Sequence, residues 1–325
     1  MPLSYKDIFQ NDLDFNRIAL EVFTFQYTNN QVYQKFCDLL HRNPKNTCQL
    51  NDIPFLPISF FKEYQIKTNN LNKEDIVFTS SGTTGSQTSK HYVQDIQWYI
   101  QSYLKGFEYF YNDPANYTFL ALLPSYLERS GSSLIFMMED LIQKGQPKSG
   151  FYLNNHQELI DSLHQLEAKN QKTILVGVTY ALLDLIEKQN FQLKNTLIME
   201  TGGMKGKRKE LIREELHEIL CHGFGVEQIH SEYGMTELLS QAYSKGNGIF
   251  ECPPWMKVMI RDTEDALSYL PNEKTGGINV IDLANINSCS FIATQDLGKK
   301  YDNETFEVLG RFDHSDIRGC NLMVI

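Results

Sequence analysis

Hydrophobic and polar positions along the chain predict strands and helices in turn. Short apolar runs at 118–123, 173–178 and 196–199 have the length and composition of buried strands. Amphipathic segments with helical spacing, at 131–144 and 180–188, follow the first two runs. Strands that alternate with helices indicate parallel βαβ units with right-handed crossovers. We therefore expect an α/β fold.

The segments on either side extend this pattern. Residues 1–70 have the pattern of helical segments joined by loops, and the apolar run at 76–79 ends in a loop rich in glycine, serine and threonine. Further helices are expected at 94–110 and 208–221, and a further strand at 226–230. The whole chain up to about residue 240 thus fits one alternating architecture.

The pattern changes near residue 240. Beyond it, short strand-like runs separated by turns dominate, at 257–261, 277–282, 290–294 and 305–308. We expect two portions: an α/β portion at residues 1–240 and a β-rich subdomain at residues 241–325.

Composition and charge exclude several classes of function. The chain has 325 residues and is 42% hydrophobic, which is enough for a large core. Its net charge of −10 argues against broad nucleic-acid binding, because phosphate contacts need a basic surface. No apolar stretch is long enough to cross a bilayer, and the N-terminus lacks the apolar run of a signal peptide. The six scattered cysteines indicate free thiols in a reducing compartment, so a cytoplasmic location is expected.

Three glycine-containing loops, each after a predicted strand, are the candidates for ligand binding, because ligands of open parallel sheets bind beyond the carboxyl ends of the strands. The first loop, 79–86, offers backbone and hydroxyl donors that can surround phosphate oxygens, although it is not a Walker A loop. An ordinary surface turn is the alternative. The second loop spans 201–206, and the third spans 231–237.

Side chains of the third loop and of the C-terminal part can bind a nucleotide. Tyr233 can stack on a purine, Thr236 can bond a phosphate oxygen, and Glu237 offers a hard oxygen ligand for Mg²⁺. Asp296 and Arg311 are a carboxylate and a guanidinium that can clamp a ribose diol. Read singly, each of these residues has the simpler interpretation of an ordinary turn or a solvated charge.

The motifs 79–85, 232–237 and 310–313 resemble, in this order, three signature motifs of the acyl-adenylate-forming superfamily of acyl-CoA synthetases, luciferases and adenylation domains. The strings 123–134 and 316–322 resemble the branch that contains the acyl-protein synthetases of bacterial bioluminescence, the long-chain-fatty-acid–luciferin-component ligases. The resemblance implies the fold of the N-terminal domain of adenylate-forming enzymes, with parallel βαβ sheets, a β-rich subdomain and no C-terminal lid domain.

The resemblance also implies ATP and Mg²⁺ as cofactors and gives each motif residue a role. The phosphate loop would hold the pyrophosphate end of ATP, through Ser80, Ser81, Gly82, Thr83, Thr84 and Gly85. Gly202, Gly203 and Met204 would line the adenine, and Tyr233 would stack on it. Gly234, the next residue, would also lie beside the nucleotide. The remaining contacts would be Thr236 to the α-phosphate, Glu237 to Mg²⁺, and Asp296, assisted by Arg311, to the ribose.

The chain departs from larger members of the superfamily at the catalytic lysine. That lysine lies in the lid, and the sequence ends at Ile325, soon after Asp313. Lys205, Lys90 or a partner protein would then supply the positive charge. In the bioluminescence branch a cysteine near the C-terminus carries the acyl group as a thioester, and Cys320 matches it. An inert terminal cysteine is the alternative.

The expected function is ATP-dependent activation of a carboxylic acid to acyl-AMP. A fatty acid is the expected kind of acid. Transfer to a thiol follows, first to Cys320 and then to a partner such as an acyl reductase or a carrier protein. Two alternatives stay open: a minimal acyl- or aryl-CoA ligase with coenzyme A as the direct acceptor, and a non-catalytic nucleotide-binding subunit of an acyl reductase complex.

Overall fold

The computed structural model describes residues 3–68, 76–80, 87–124, 131–153, 155–202, 208 and 211–312. The helices in these ranges are α1 Tyr5–Ile8, α2 Phe15–Asn29, α3 Gln31–Leu39, α4 Phe60–Glu63, α5 Ile96–Tyr111, α6 Ser133–Lys144, α7 His156–Ala168, α8 Thr179–Lys188 and α9 Arg213–Phe224. The strands are β1 Leu56–Pro57, β2 Ile76–Thr79, β3 Lys90–Val93, β4 Thr118–Leu122, β5 Gly150–Phe151, β6 Thr173–Val178, β7 Thr196–Thr201, β8 His230–Tyr233, β9 Ala242–Ser244, β10 Ile249–Glu251, β11 Met256–Arg261, β12 Thr275–Asp282, β13 Phe291–Lys300 and β14 Phe306–Arg311.

Local sequence explains where several helices begin and end. The side chains of Asp14, Asn30, Asp95 and Ser132 each accept a hydrogen bond from a backbone N–H in the first turn of α2, α3, α5 and α6. Such caps satisfy donors that have no partner within the helix. Helix α9 ends at Phe224, and the next residue is Gly225, whose φ of 65° is left-handed and favours glycine.

Within the described residues, twelve strands form one mixed sheet in the order β11-β12-β13-β14-β10-β9-β8-β7-β6-β4-β5, with β1 beside β13. The half from β5 to β8 is parallel, and the strands from β8 to β12 pair antiparallel. Strands β2 and β3 form a separate antiparallel hairpin. The predicted α/β fold is confirmed. The strands after residue 240 belong to the same sheet as the parallel strands and add to it in antiparallel orientation.

The core lies along the parallel half of the sheet. Strands β4 and β6 are buried at every position, as expected for parallel strands with helices on both faces. The helices predicted at 131–144 and 180–188 are α6 and α8, and both place apolar side chains in this core. Within the described residues, no helix has both the length and the apolar character needed to span a bilayer.

The antiparallel half of the sheet is strongly curved. Tyr233 on β8 and Asp296 on β13 lie four strand steps apart in the sheet order. In a flat sheet four steps span about 19 Å, yet the Tyr233 hydroxyl lies 2.8 Å from the Asp296 carboxylate. The rings of Phe250 and Phe306, stacked with centroids 5.4 Å apart, pack against Tyr233 inside the curve. The curvature therefore brings two non-adjacent strands together.

Three predictions about strands were wrong, one about the sheet that a strand joins and two about where strands begin or end. The run at 76–79 does not join the large sheet, because its partner is Lys90–Val93, a strand that the sequence pattern did not indicate. Strand β8 begins at His230 and not at 226, since the chain first closes the end of α9 through a bond from Val226 N to Cys221 O. Strands β13 and β14 extend beyond the runs predicted at 290–294 and 305–308, so Asp296 and Arg311 lie within strands.

Candidate functional site

Tyr233, Asp296 and Arg311 form a connected cluster on the concave face of the sheet. The Tyr233 hydroxyl donates to one carboxylate oxygen of Asp296 at 2.8 Å, and Arg311 Nε donates to the other at 3.1 Å. The Arg311 pair follows from the strand register, which places Asp296 directly opposite Arg311. Tyr233 and Asp296 are buried, whereas 79% of the Arg311 side chain is exposed. The cluster thus presents a guanidinium at the surface above a buried carboxylate.

A second group of residues fixes the backbone of the loop that carries Thr236 and Glu237. His91 Nδ1 lies 2.8 Å from the carbonyl oxygen of Thr236, and Asn285 Nδ2 donates to the carbonyl of Glu237 at 2.8 Å. His91 Nε2 also lies 3.0 Å from Asn285 Oδ1. Burial lowers the pKa of His91 to about 4, so the ring is neutral near pH 7 and its one N–H serves only one of these two acceptors. Asn285 therefore holds the Glu237 carbonyl, and His91 lies between this amide and the preceding carbonyl.

Asp282 fixes the end of the same loop. Its carboxylate accepts hydrogen bonds from the backbone N–H of Leu239 at 2.7 Å and of Ser240 at 3.0 Å, and from the Ser240 hydroxyl at 2.5 Å. It also accepts from the backbone N–H of Ala284. Four donors can hold a buried carboxylate in its charged form, although burial raises its pKa. The loop is thus attached to β12 and to the segment that follows it.

Glu237 is a buried carboxyl group with a surface cation nearby. It is 5% exposed, and burial raises its pKa, while a hydrogen bond with Ser89 and the charges of Arg311 and Lys62 lower it. Within the described residues, no group of three or more His, Cys, Asp or Glu side chains lies close enough to hold a metal ion. A single hard oxygen ligand suits Mg²⁺ that is otherwise bound by phosphate and water, so Glu237 fits the predicted role.

The residues on either side of the predicted phosphate-binding loop are joined by hydrogen bonds. Ser80 N donates to Ser89 O at 3.1 Å, and Ser89 N donates to Ser80 Oγ at 2.9 Å, which closes the hairpin of β2 and β3. Thr79 N donates to Gly131 O, which joins the hairpin to the start of α6. Of the predicted phosphate-binding residues, Ser80 is described, and the others lie outside the described residues: Ser81, Gly82, Thr83, Thr84 and Gly85.

The second loop begins at the same edge of the sheet as Tyr233. Gly202 is exposed with φ of 68°, and its carbonyl accepts a hydrogen bond from Thr179 Oγ1 at 2.8 Å. It follows Thr201, which pairs with Glu232 on the neighbouring strand. The other predicted residues of this loop, Gly203, Met204 and Lys205, lie outside the described residues, and so does Cys320.

An apolar cavity lies between the sheet and helices α5 and α6, and it extends to the edge of the sheet where the second loop begins. Its lining includes side chains of α5, α6, β4, β6, β7 and β9, and its two strongly polar members, Thr201 and Glu232, are at one end. The void of about 10 Å³ has room for one water molecule. Thr201 Oγ1 donates to Glu232 Oε2 at 2.5 Å. Burial and the charge of Glu200 raise the pKa of Glu232, and the hydrogen bond from Thr201 lowers it. The net effect is a pKa raised to about 7.

Gly234 lies against the carboxyl group of Glu232. A Cβ atom at residue 234 would lie 2.3 Å from Glu232 Oε1. Glycine next to Tyr233 therefore leaves space for the carboxyl group of Glu232, in addition to its predicted place beside the nucleotide.

Solved structures share this fold. The chain resembles 2-hydroxyisobutyryl-CoA ligase in complex with 2-HIB-AMP and CoA, with a TM-score of 0.70 at 14% identity over 97% of this chain and 70% of the other. It also resembles ATP-bound MatB from Rhodopseudomonas palustris, with a TM-score of 0.56 at 17% identity over 75% of this chain, and the match spans 50% of the MatB chain. The fold is that of the N-terminal domain of adenylate-forming enzymes.

Sequence comparison gives the family. The chain is 23% identical to the long-chain-fatty-acid–luciferin-component ligase of Vibrio harveyi, over 94% of this chain and 86% of the relative. The corresponding ligase of Aliivibrio fischeri is 22% identical over the same shares. Residues 1–99 and 125–325 match the family model described as "Acyl-protein synthetase, LuxE". The chain belongs to this family, and it is an enzyme of the AMP-forming ligase class.

Sequence reasoning missed four residues that shape the site: His91, Asp282, Asn285 and Glu232. His91 lies in a short strand that the hydrophobic pattern did not indicate, and Asp282 and Asn285 are isolated polar residues near the end of a strand. Glu232 lay within the recognised motif, but only the structure shows that it faces an apolar cavity.

Proposed function

We propose that the chain uses Mg-ATP to activate a fatty acid as acyl-AMP and then transfers the acyl group to a thiol. The observation that carries the proposal is the joining of Tyr233, Asp296 and Arg311 from three distant parts of the sequence. The cluster lies close to the Thr236–Glu237 loop, since the charge of Arg311 acts on Glu237. Asp296 would then bind the ribose beside Thr236 at the α-phosphate and Glu237 at the metal. The ATP-bound and acyl-AMP-bound structures with this fold support the same use.

In the first step a carboxylate oxygen of the acid attacks the α-phosphorus of ATP. The bond from the α-phosphorus to the bridging oxygen breaks, and pyrophosphate leaves with that oxygen. Mg²⁺ bound by Glu237 would neutralise phosphate charge. Asp296 and Arg311 would hold the ribose, and Thr236 would orient the α-phosphate, so that positioning and charge neutralisation lower the barrier.

In the second step the Cys320 thiolate attacks the acyl carbon, the bond to AMP breaks, and a thioester forms. A thiolate is a strong nucleophile and the mixed anhydride is a good acyl donor. Lys205 or Lys90 would supply positive charge near the phosphates. The acyl group then passes to a partner such as an acyl reductase, in agreement with relatives named for the luciferin component.

The apolar lining of the cavity favours a fatty acid as the substrate over an acid with a polar chain. Its apolar members include Met137, Met138 and Met199, which are unbranched and can rotate to admit a chain. Since the void itself holds only one water molecule, binding of a chain would displace these side chains.

Pyrophosphate exchange into ATP, measured over a panel of fatty and aryl acids, tests the first step. We expect exchange that depends on a fatty acid and that Asp296→Asn reduces at least tenfold, mainly by raising KM for ATP. Asp12→Asn, at an exposed position, is the control with the same chemical change. No exchange with any acid would refute adenylation and favour a nucleotide-binding subunit.

Acyl transfer is tested separately with a radiolabelled fatty acid. Cys320→Ser should retain exchange but lose the acid-stable, hydroxylamine-labile label on the protein. Cys48→Ser, which removes an exposed cysteine, is the control and should keep the label. Labelled acyl-CoA formed equally well by Cys320→Ser would refute the protein-thioester step and identify a CoA ligase.

A further inference from the structure

The cavity has a direction that follows from strand register. Phe119 pairs with Ile174 at the closed end, and Val176 pairs with Met199 further along. Thr201 and Glu232, the last of these pairs, lie at the carboxyl ends of β7 and β8. Successive lining residues are two apart along β6 and β7, so they share one face of the sheet. The lining therefore changes from apolar to polar toward the nucleotide site.

Helix α6 forms the opposite wall. It contributes Leu134, Met137, Met138 and Leu141, whose spacing of three and four residues places them on one helical face. An aliphatic chain between this face and the sheet would point its carboxyl end at Thr201 and Glu232. Its other end would lie against side chains without polar atoms.

Glu232 is therefore the carboxyl group that a bound acid would meet. Thr201 occupies its Oε2, and Oε1 lies over Gly234, where no side chain intervenes. The titratable groups that act on it from neighbouring elements are Tyr99 on α5, Tyr243 on β9 and Glu200 on β7, which lies on the opposite face of the sheet and pairs there with Arg213. All three are neutral or negative near pH 7. Two ionised carboxylates side by side in such surroundings repel strongly, which raises the affinity of the pair for a proton.

We infer that Glu232 and the carboxyl group of the acid substrate share one proton, so that the acid binds together with a proton from solvent. The inference rests on the proposed function, because it takes a carboxylic acid as the ligand. Glu232 then admits the acid in a pair that carries one negative charge instead of two, and it would release the proton when the substrate oxygen becomes bonded to phosphorus. Glu232 is thus a binding residue that makes the affinity for the acid depend on pH.

Direct calorimetric binding of decanoate tests the inference without catalysis. Titrations at pH 8 in two buffers of different ionisation enthalpy give the number of protons taken up per acid bound. We expect close to one proton for the wild type and none for Glu232→Gln. At pH 6 the wild type should take up almost none, because free Glu232 already holds its proton there. The wild-type Kd should rise about tenfold per pH unit above pH 7, and that of Glu232→Gln should stay flat.

A second variant keeps the test decisive if Glu232→Gln does not fold. Thr201→Val removes the hydrogen bond that stabilises the ionised form, so the pH at which decanoate affinity starts to fall should move upward. Glu218→Gln, on the exposed face of α9, is the control and should behave as wild type.

Two outcomes overturn the inference: a wild type that binds decanoate at pH 8 with no proton uptake, and a wild type that does not bind decanoate at all. Pyrophosphate exchange in the same preparation separates the two proposals. Exchange with proton-independent binding refutes proton sharing alone, and absence of exchange with proton-linked binding refutes adenylation alone.

Discussion

Asn285 provides a direct test of how the Thr236–Glu237 loop is held. Its side chain is 1% exposed and makes two contacts, to the Glu237 carbonyl at 2.8 Å and to His91 Nε2 at 3.0 Å. Asn285→Ala removes both and leaves the carbonyl without this buried partner. An unsatisfied buried polar group costs about 1–3 kcal/mol, so we expect the free energy of unfolding to fall by about 2–4 kcal/mol. That is a large share of the roughly 5–15 kcal/mol typical of a folded protein.

The effect on activity should exceed the effect on ATP binding. Displacement of the loop by about 1 Å can cost a reaction roughly a hundredfold, because the contacts proposed for Thr236 and Glu237 with the reacting phosphate would be lost. We expect the kcat of pyrophosphate exchange to fall at least tenfold at a temperature where the variant is folded, with a smaller change in KM for ATP. Asn272→Ala, which removes an exposed hydrogen bond to Asp302, is the matched control and should change stability by less than about 0.5 kcal/mol.

His91 belongs to the same network and allows a double-mutant cycle. His91→Ala and Asn285→Ala both disrupt the attachment of this loop, so the double variant should lose less stability than the sum of the single variants, by about 1 kcal/mol. Urea unfolding followed by circular dichroism gives the four free energies. Additive losses, or an Asn285→Ala protein as stable and active as the wild type, would show that this network does not fix the loop.

Three further predictions concern other parts of the site and the core. Tyr233→Phe removes a hydrogen bond to the Asp296 carboxylate, so we expect a loss of about 1.5–3 kcal/mol in urea unfolding and a higher KM for ATP; an unchanged KM would contradict a role for this pair in ribose binding. The pKa of Glu232 rises from 4.5 to about 7 on folding, so ionising it destabilises the protein increasingly from pH 4.5 to pH 7 and fully above that. Glu232→Gln should therefore gain stability over wild type at pH 8, by at most about 3 kcal/mol, and little at pH 4; equal gains at both pH values would refute the shift. Gly177→Ala places a Cβ atom 2.6 Å from the side chain of Leu182, which is fully buried, and should lower the melting temperature through a cost of about 1–3 kcal/mol; a wild-type melting curve would show that the core yields there.

The parallel half of the fold was predictable because its signals are local. The runs that became β4 and β6 are apolar throughout, and the amphipathic segments that became α6 and α8 follow them directly. Burial on both faces leaves no alternative for such a strand, so the pattern alone is informative. In the antiparallel half, β11 to β14 were predicted, although β13 and β14 extend further than expected, and the short strands β9 and β10 were not predicted.

The residues of the candidate site could be predicted from the sequence, but the hydrogen bonds between them could not. Tyr233, Asp296 and Arg311 stood out by residue type and motif, but the bond between Tyr233 and Asp296 depends on sheet curvature, which has no local sequence pattern. His91 and Asn285 are held in place by partners 145 and 48 residues away, so no spacing along the chain reveals them. Buried polar networks of this kind are determined by tertiary packing.

The curved half of the sheet connects the candidate nucleotide site to a contact between two aromatic rings. Phe250 and Phe306 lie on adjacent strands β10 and β14, beneath the hydroxyl that reaches Asp296. Shortening either ring would change the curvature of the sheet and with it the distance between Tyr233 and Asp296, though neither phenylalanine need touch a nucleotide. Nucleotide affinity in this enzyme should therefore respond to the size of two interior side chains, and natural variation there would tune it without altering any group that bonds the ligand.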